Sequence, residues 1–156
     1  MAPVAVEARL GLAERARRSE PSIRELLGSA DEGVRARAAL AAGRIRSADA
    51  LPELAANLAG EEAGSAAWAL GRIKGGEPVL VRCVLERCPG AAEAARALGG
   101  PGRGPEVIPA LAAALDGPAQ LAAEAALALG IIARVGGKGA ENKVRDAAGR
   151  DRKSVV

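Results

Sequence analysis

Residues 38–45 read AALAAGRI, and residues 66–73 read AAWALGRI. The second octet rewrites the first: small residues, a glycine, an arginine and an isoleucine in the same order. With Gly43 as origin, Gly71 follows 28 residues later, Gly99 another 28, and Gly130 another 31. The residues leading into them form columns: AALAAG (38–43), AAWALG (66–71), AARALG (94–99) and AALALG (125–130). A weaker fifth copy ends ARLG at Gly11. Self-similarity at a period near 30 marks a protein built from stacked repeats.

The rest of each unit repeats as well. After the glycine comes a short polar linker, then a proline near the start of a second apolar stretch, as in ADALPELAANL (48–58), GGEPVLVRCVL (75–85) and PEVIPALAAAL (105–115). Leu51, Leu54 and Leu58 stand at i, i+3 and i+7, one face of a helix, and Ile108, Leu111 and Leu115 repeat the spacing. Val79, Leu80, Val84 and Leu85 give a looser version. Proline suits the first turn of a helix, where its missing N–H has no partner to lose. Each unit therefore reads as two short helices. The column glycine has two candidate roles, a left-handed cap or a point of close helix contact. Ile45 and Ile73 follow it closely, so the helix runs on and close packing is the better explanation. A helix pair of this size cannot bury its apolar face alone; stacking on its neighbours does. The expected units span about 1–28, 29–60, 61–87, 88–117 and 118–150.

Composition agrees. The chain has 156 residues and is 49% hydrophobic, with no Phe, no Tyr and one tryptophan, Trp68. Alanine and leucine, both strong helix formers, carry the apolar fraction. The bulky column of the repeat (Leu40, Trp68, Leu127) is expected to face inward, with Arg96 as its exception. The GGPGRGP stretch at 99–105 is expected to form a loose turn or bend.

At this level the residues resemble the short HEAT-like repeats first described in phycocyanobilin lyases. The best unit is DEGVRARAALAAGRIRSADALPELAANL (31–58): Asp before the first helix, Val-Arg, Ala-Ala, glycine, then Leu-Pro-x-Leu. The resemblance runs from about residue 4 to residue 150. It implies an all-α fold, a right-handed α-solenoid of about four to five helix pairs. It implies no single function, because such repeats occur in chromophore lyases, metal hydroxylases, DNA-repair proteins and plain scaffolds. The second unit lacks the Val-Arg of the pattern.

The chemistry is narrowed by what the chain lacks. It has no histidine, so the His-Glu metal sites of repeat-built hydroxylases and the Ser-His-Asp and Cys-His arrangements are excluded. No metal and no cofactor is expected. Cys83 and Cys88 do not form a CxxC pair, and two free thiols are expected rather than a disulfide. The acidic pairs Asp31-Glu32 and Glu61-Glu62 precede first helices, where they suit the positive end of the helix dipole better than acid–base catalysis. GGPGRGP lacks the Gly-Lys-Ser/Thr ending of a phosphate loop.

The net charge is +3. Arg44 and Arg72 follow the glycine by one step, and Arg46 and Lys74 stand two steps further; together they are the candidate phosphate-binding set. A solvated helix end explains them better, so nucleic acid is disfavoured. The second helices are expected to line a concave partner-binding face through Glu53, Asn57, Arg82 and Glu86. The start of the chain has Glu7 and Arg9 where a signal peptide needs an apolar run, and the run AALALGIIA (125–133) is too short to span a bilayer. The expected location is cytoplasmic, with no membrane contact. The final segment DRKSVV (151–156) departs from the repeat; the codons GAT CGG AAG AGC GTC GTG TAG would encode it and resemble a sequencing-library adapter. Residues 151–156 are therefore expected to be a non-native tail of a longer protein.

The functional expectation is a non-catalytic scaffold that presents a concave face to a protein partner. A subunit of the phycobilin-lyase type and a binder of nucleic-acid backbones through the arginine column are the alternatives.

Overall fold

Alanine-rich segments punctuated by proline and glycine favour helices, and the computed structural model contains ten helices among its described residues. It describes residues 3–16 and 21–153. They are α1 (Pro3–Ala16), α2 (Pro21–Leu27), α3 (Glu32–Ile45), α4 (Leu51–Asn57), α5 (Ala63–Leu70), α6 (Glu77–Leu85), α7 (Ala91–Leu98), α8 (Ile108–Ala114), α9 (Ala119–Val135) and α10 (Gly137–Lys153). No strand occurs among the described residues. The predicted second helices start where the proline requires: α4 carries Pro52 and α8 carries Pro109 in the first turn, each behind a single turn of 3-10 helix (Ala48–Ala50 and Pro105–Val107). The predicted non-native tail begins inside the last turn of α10, and residues 154–156 lie outside the described residues.

The helices gather into two compact units, Met1–Val79 and Leu80–Val156. In the first, α3 packs against α1, α2 and α5, and α4 packs against α5. Its core is Val6, Leu10, Ile23, Leu26, Leu27, Leu54 and Leu70, packed among the fully buried alanines Ala38, Ala39, Ala41, Ala42, Ala66 and Ala69. In the second, α9 packs against α7, α8 and α10. Its core is Leu80, Val84, Leu98, Val107, Leu111 and Leu129, with Ala94, Ala95, Ala125 and Ala128. Alanine at the contacts lets helix axes approach closely, and leucine fills the space left.

The column glycines act as contact points. A Cβ at Gly43 would stand 2.9 Å from Ala69 Cα, and one at Gly99 would stand 2.8 Å from Ala128 Cα. Neither glycine is left-handed: Gly43 lies within α3, and Gly99 closes α7 at φ −78°. The left-handed cap of α3 is instead Arg46, at φ 57°, whose N–H donates to the Ala42 carbonyl.

Three expectations need correction. The bulky column does not face inward: Trp68 is 39% exposed and Leu127 64%. The column lies at the edge of the helix crossing, and Arg96 is at home in it. The cysteines are not free thiols; Cys83 and Cys88 form a disulfide. Cys83 sits in the last turn of α6, Arg87 turns the chain at φ 53°, and the Cys88 N–H donates to the Cys83 carbonyl at 2.9 Å. This helix stop folds the two sulfurs together. The acidic pairs also divide. Asp31 caps α3, accepting from the Val34 N–H at 3.1 Å. Glu62 makes no such capping bond to α5.

Candidate functional site

Of the four residues predicted for a concave face, Glu53 and Asn57 belong to the first unit and Arg82 and Glu86 to the second. Glu53, in the first turn of α4, is half-buried and receives both Nε and Nη2 of Arg24, at 2.8 and 2.6 Å. The Arg24 guanidinium holds the Glu53 carboxyl below the usual carboxylate range, against the opposing effect of burial. Asn57 is 7% exposed, and its Nδ2 donates to the Leu27 carbonyl at 3.1 Å. That bond ties α4 to the end of α2, so Asn57 is structural. Arg82 and Glu86, in and just after α6, are exposed.

Glu53 belongs to a set of pairs that the sequence reading missed. Arg35 on α3 reaches Glu62 with Nε at 2.6 Å and Nη2 at 3.0 Å, and the Glu62 side chain is 3% exposed. The third guanidinium nitrogen of Arg35, Nη1, donates to the Ser29 carbonyl at 2.7 Å. The Arg35 hydrogen bonds pull the Glu62 carboxyl below its ordinary range although burial pushes it up. In the other compact unit, Arg96 on α7 forms the same kind of forked pair with Glu124 on α9 and likewise holds its carboxyl below the ordinary range. In each pair an arginine precedes its glutamate by about one repeat: Arg24 to Glu53 is 29 residues, Arg35 to Glu62 is 27, and Arg96 to Glu124 is 28. That spacing was the available signal. These pairs link different helices; Arg35 and Arg96 each engage both oxygens of their glutamate, whereas both nitrogens of Arg24 meet Glu53 Oε1 and Glu53 Oε2 is buried without a hydrogen-bond partner. Glu32 and Glu61 share a hydrogen bond instead, which raises the Glu32 carboxyl above its usual range.

The predicted phosphate set fares differently. Arg44, Arg46, Arg72 and Lys74 are all exposed. The Arg72 guanidinium lies over the Trp68 ring, 4.9 Å from its centroid. Trp68 in turn lies over Gly43, where a Cβ would come within 2.6 Å of its Cζ3. Gly43 thus clears the floor on which the indole rests, and Arg44 and Arg46 follow it in the chain. The chain's one aromatic ring, one stacked cation and flanking cations gather at the ends of α3 and α5. Among the described residues, no group of three or more Cys, Asp or Glu is placed to hold a metal ion. No helix there is long and apolar enough to cross a membrane.

Two concavities lie in the second unit. One, of about 320 Å³, lies between the 100–104 loop and Ile131, Ile132, Val135 and Gly136. The other, of about 200 Å³, lies between Pro105, Ile108 and Pro109 and the α10 residues Lys143, Asp146 and Ala147. Neither gathers a set of catalytic groups.

No family model, no curated protein and no solved structure matches the chain.

Proposed function

We propose that the chain is a helical-repeat scaffold of the HEAT-like type, an α-solenoid of helix pairs that binds a protein partner without a covalent step. One observation carries this reading: the chain's only aromatic side chain is held at the surface, 39% exposed, seated on Gly43 and stacked by Arg72. An aromatic ring in an alanine-rich protein contributes most by burial, and this one is withheld from the core. Tryptophan and arginine are the residues that most often dominate protein interfaces, because they bury large, rigid area at low entropic cost. Trp68 and Arg72, rather than Glu53 and Asn57, are therefore the proposed partner-binding residues, with Arg82 and Glu86 outside the argument. The flanking cations favour an acidic partner surface. The closed Cys83–Cys88 bridge fits a compartment that permits disulfides, so a cytoplasmic location is not part of the proposal.

Arg44, Arg46, Arg72 and Lys74 are each exposed, which supports a second reading in which these cations grip a phosphate backbone. One experiment separates the two: capture of binding partners by the wild-type chain, by Trp68→Ala and by Arg72→Glu, over a range of salt. The scaffold reading expects a stoichiometric protein that Trp68→Ala loses. Nucleic acid bound with steep salt dependence, lost with Arg72→Glu and retained by Trp68→Ala, would establish the second reading. A protein partner retained by both variants would remove Trp68 and Arg72 from the site.

A further inference from the structure

Both compact units contain one crossing of first helices, and both crossings are built alike. Gly43 of α3 is seated on Ala69, and Gly99 of α7 is seated on Ala128. Ala69 stands two residues before Gly71, and Ala128 stands two before Gly130. The rule is that the column glycine of one first helix receives the alanine two residues ahead of the next column glycine. Gly130 is the fourth glycine of that column. It is exposed, and a Cβ there would meet nothing within 4 Å. Leu127, Ile131 and Val135 form a stripe to one side of it, 64%, 38% and 76% exposed. They are three of the five exposed large apolar side chains among the described residues, spaced i, i+4, i+8 on one helix.

We propose that this face of α9 is a seat for one further alanine-faced helix, with an alanine at Gly130 and an apolar flank against Leu127 and Ile131. The surface belongs to the second unit and Trp68 to the first, and the proposal does not rest on the function proposed above. Continuity of register identifies the occupant. A bare glycine beside an apolar ridge admits an alanine more readily than a bulky side chain, and the chain seats an alanine on the column glycine at Gly43 and Gly99. Charge agrees. Arg96, three residues before Gly99, reaches Glu124 on the incoming helix, whereas the residue three before Gly130 is Leu127. The incoming helix therefore needs no acid there. A second copy of this chain is a poor occupant. The residue of α1 in the alanine's register is Arg9, two before Gly11, and it is paired with Glu25. Docked head to tail, it would bring a guanidinium to Gly130.

The test adds the occupant. The full chain is joined after Val156, through a flexible Gly/Ser linker, to a second copy of its own residues 61–87, which carry Ala69 and Gly71. Hydrogen exchange is then followed across α9. Amides of residues 127–135 should exchange about tenfold or more slowly in the extended chain, since local opening there must first undock the added helix. Gly130→Leu should abolish that slowing, and so should arginine in place of alanine 69 in the added copy. The unextended chain bearing Gly130→Leu should keep its α9 protection, because the site is open, and this shows that the variant folds. Equal exchange with and without the added unit overturns the proposal. So does slowing that survives both variants. A dimer of the unextended chain that Gly130→Leu dissociates would also overturn it, by making a second copy the occupant.

Discussion

A column of identical glycines conceals opposite roles, and substitution should expose them. Gly43→Ala and Gly99→Ala place a methyl group against the backbone of the facing helix, at Ala69 and Ala128. Backbone cannot swing aside as a side-chain tip does, so the helices must separate. Overpacking of this kind costs about 1–3 kcal/mol, more than the ~1 kcal/mol that alanine returns within a helix. Both variants should lower the unfolding midpoint in denaturant. Gly130→Ala meets nothing, so only the helix gain remains, and stability should rise by about 0.5–1 kcal/mol. A loss at Gly130 as large as that at Gly43 would show that the surface around it is covered in solution. The sequence alone established that these glycines recur. It could not separate them, because the difference lies in what each one faces. Trp68 makes the same point. Its place in an apolar column suggested burial, yet the column runs along the rim of the crossing, where ring, leucine and arginine are all accommodated.

At the scale of the element, helix ends decide the outcomes. Asp31 accepts the Val34 N–H, and Asp31→Ala should cost about 1 kcal/mol, while Asp31→Asn should retain most of it. Thermal unfolding of the two variants side by side checks this. The disulfide closes a short loop at the end of α6, so by the chain-entropy argument its reduction should cost only about 2 kcal/mol. The reduced chain should remain folded with a lower midpoint, and circular dichroism with and without dithiothreitol reads the difference. A collapse of helicity on reduction would show that the bridge holds more than its own turn. Helix positions were legible because proline heads the second helices, apolar residues keep helical spacing, and Asp31 stands where an N-cap belongs. The cysteine pairing was not legible. It depends on Arg87 adopting a left-handed backbone, which turns Cys88 back onto the last turn of α6. Nothing in Cys-x4-Cys spacing announces that turn.

Across the whole molecule, the charged pairs distinguish this protein from a stack of alanine-faced helices. They were hidden in the sequence because arginine and glutamate 27–29 residues apart are noticed only once the repeat length is known and the faces are fixed. Their consequence is a dependence on acid. Glu53, Glu62 and Glu124 all have folded-state pKa values below the ordinary carboxylate range, each first through hydrogen bonds from its arginine. A carboxyl depressed on folding binds its proton more weakly in the native than in the unfolded chain. Its contribution is therefore complete above the unfolded value, near 4.3, and is lost as pH falls through the folded value. Glu32 is shifted the other way by Glu61, so its contribution is present at low pH and fades as pH rises through its raised folded value. It is one exposed group against three, and the balance falls on the acid side. Stability should hold level from neutrality to about pH 5 and then decline steadily below about pH 4.3. Glu62→Gln should flatten part of that decline, since an amide cannot be protonated there, while lowering stability at neutral pH by weakening a bond to a charged partner. Glu124→Gln should do the same through the second unit. If the two act independently, the double variant should lose the sum of the two slopes in a urea-midpoint series across pH. A double variant with the same acid slope as wild type would mean that these carboxylates titrate alike in the folded and unfolded chain, and that the pairs are surface contacts without a share in stability.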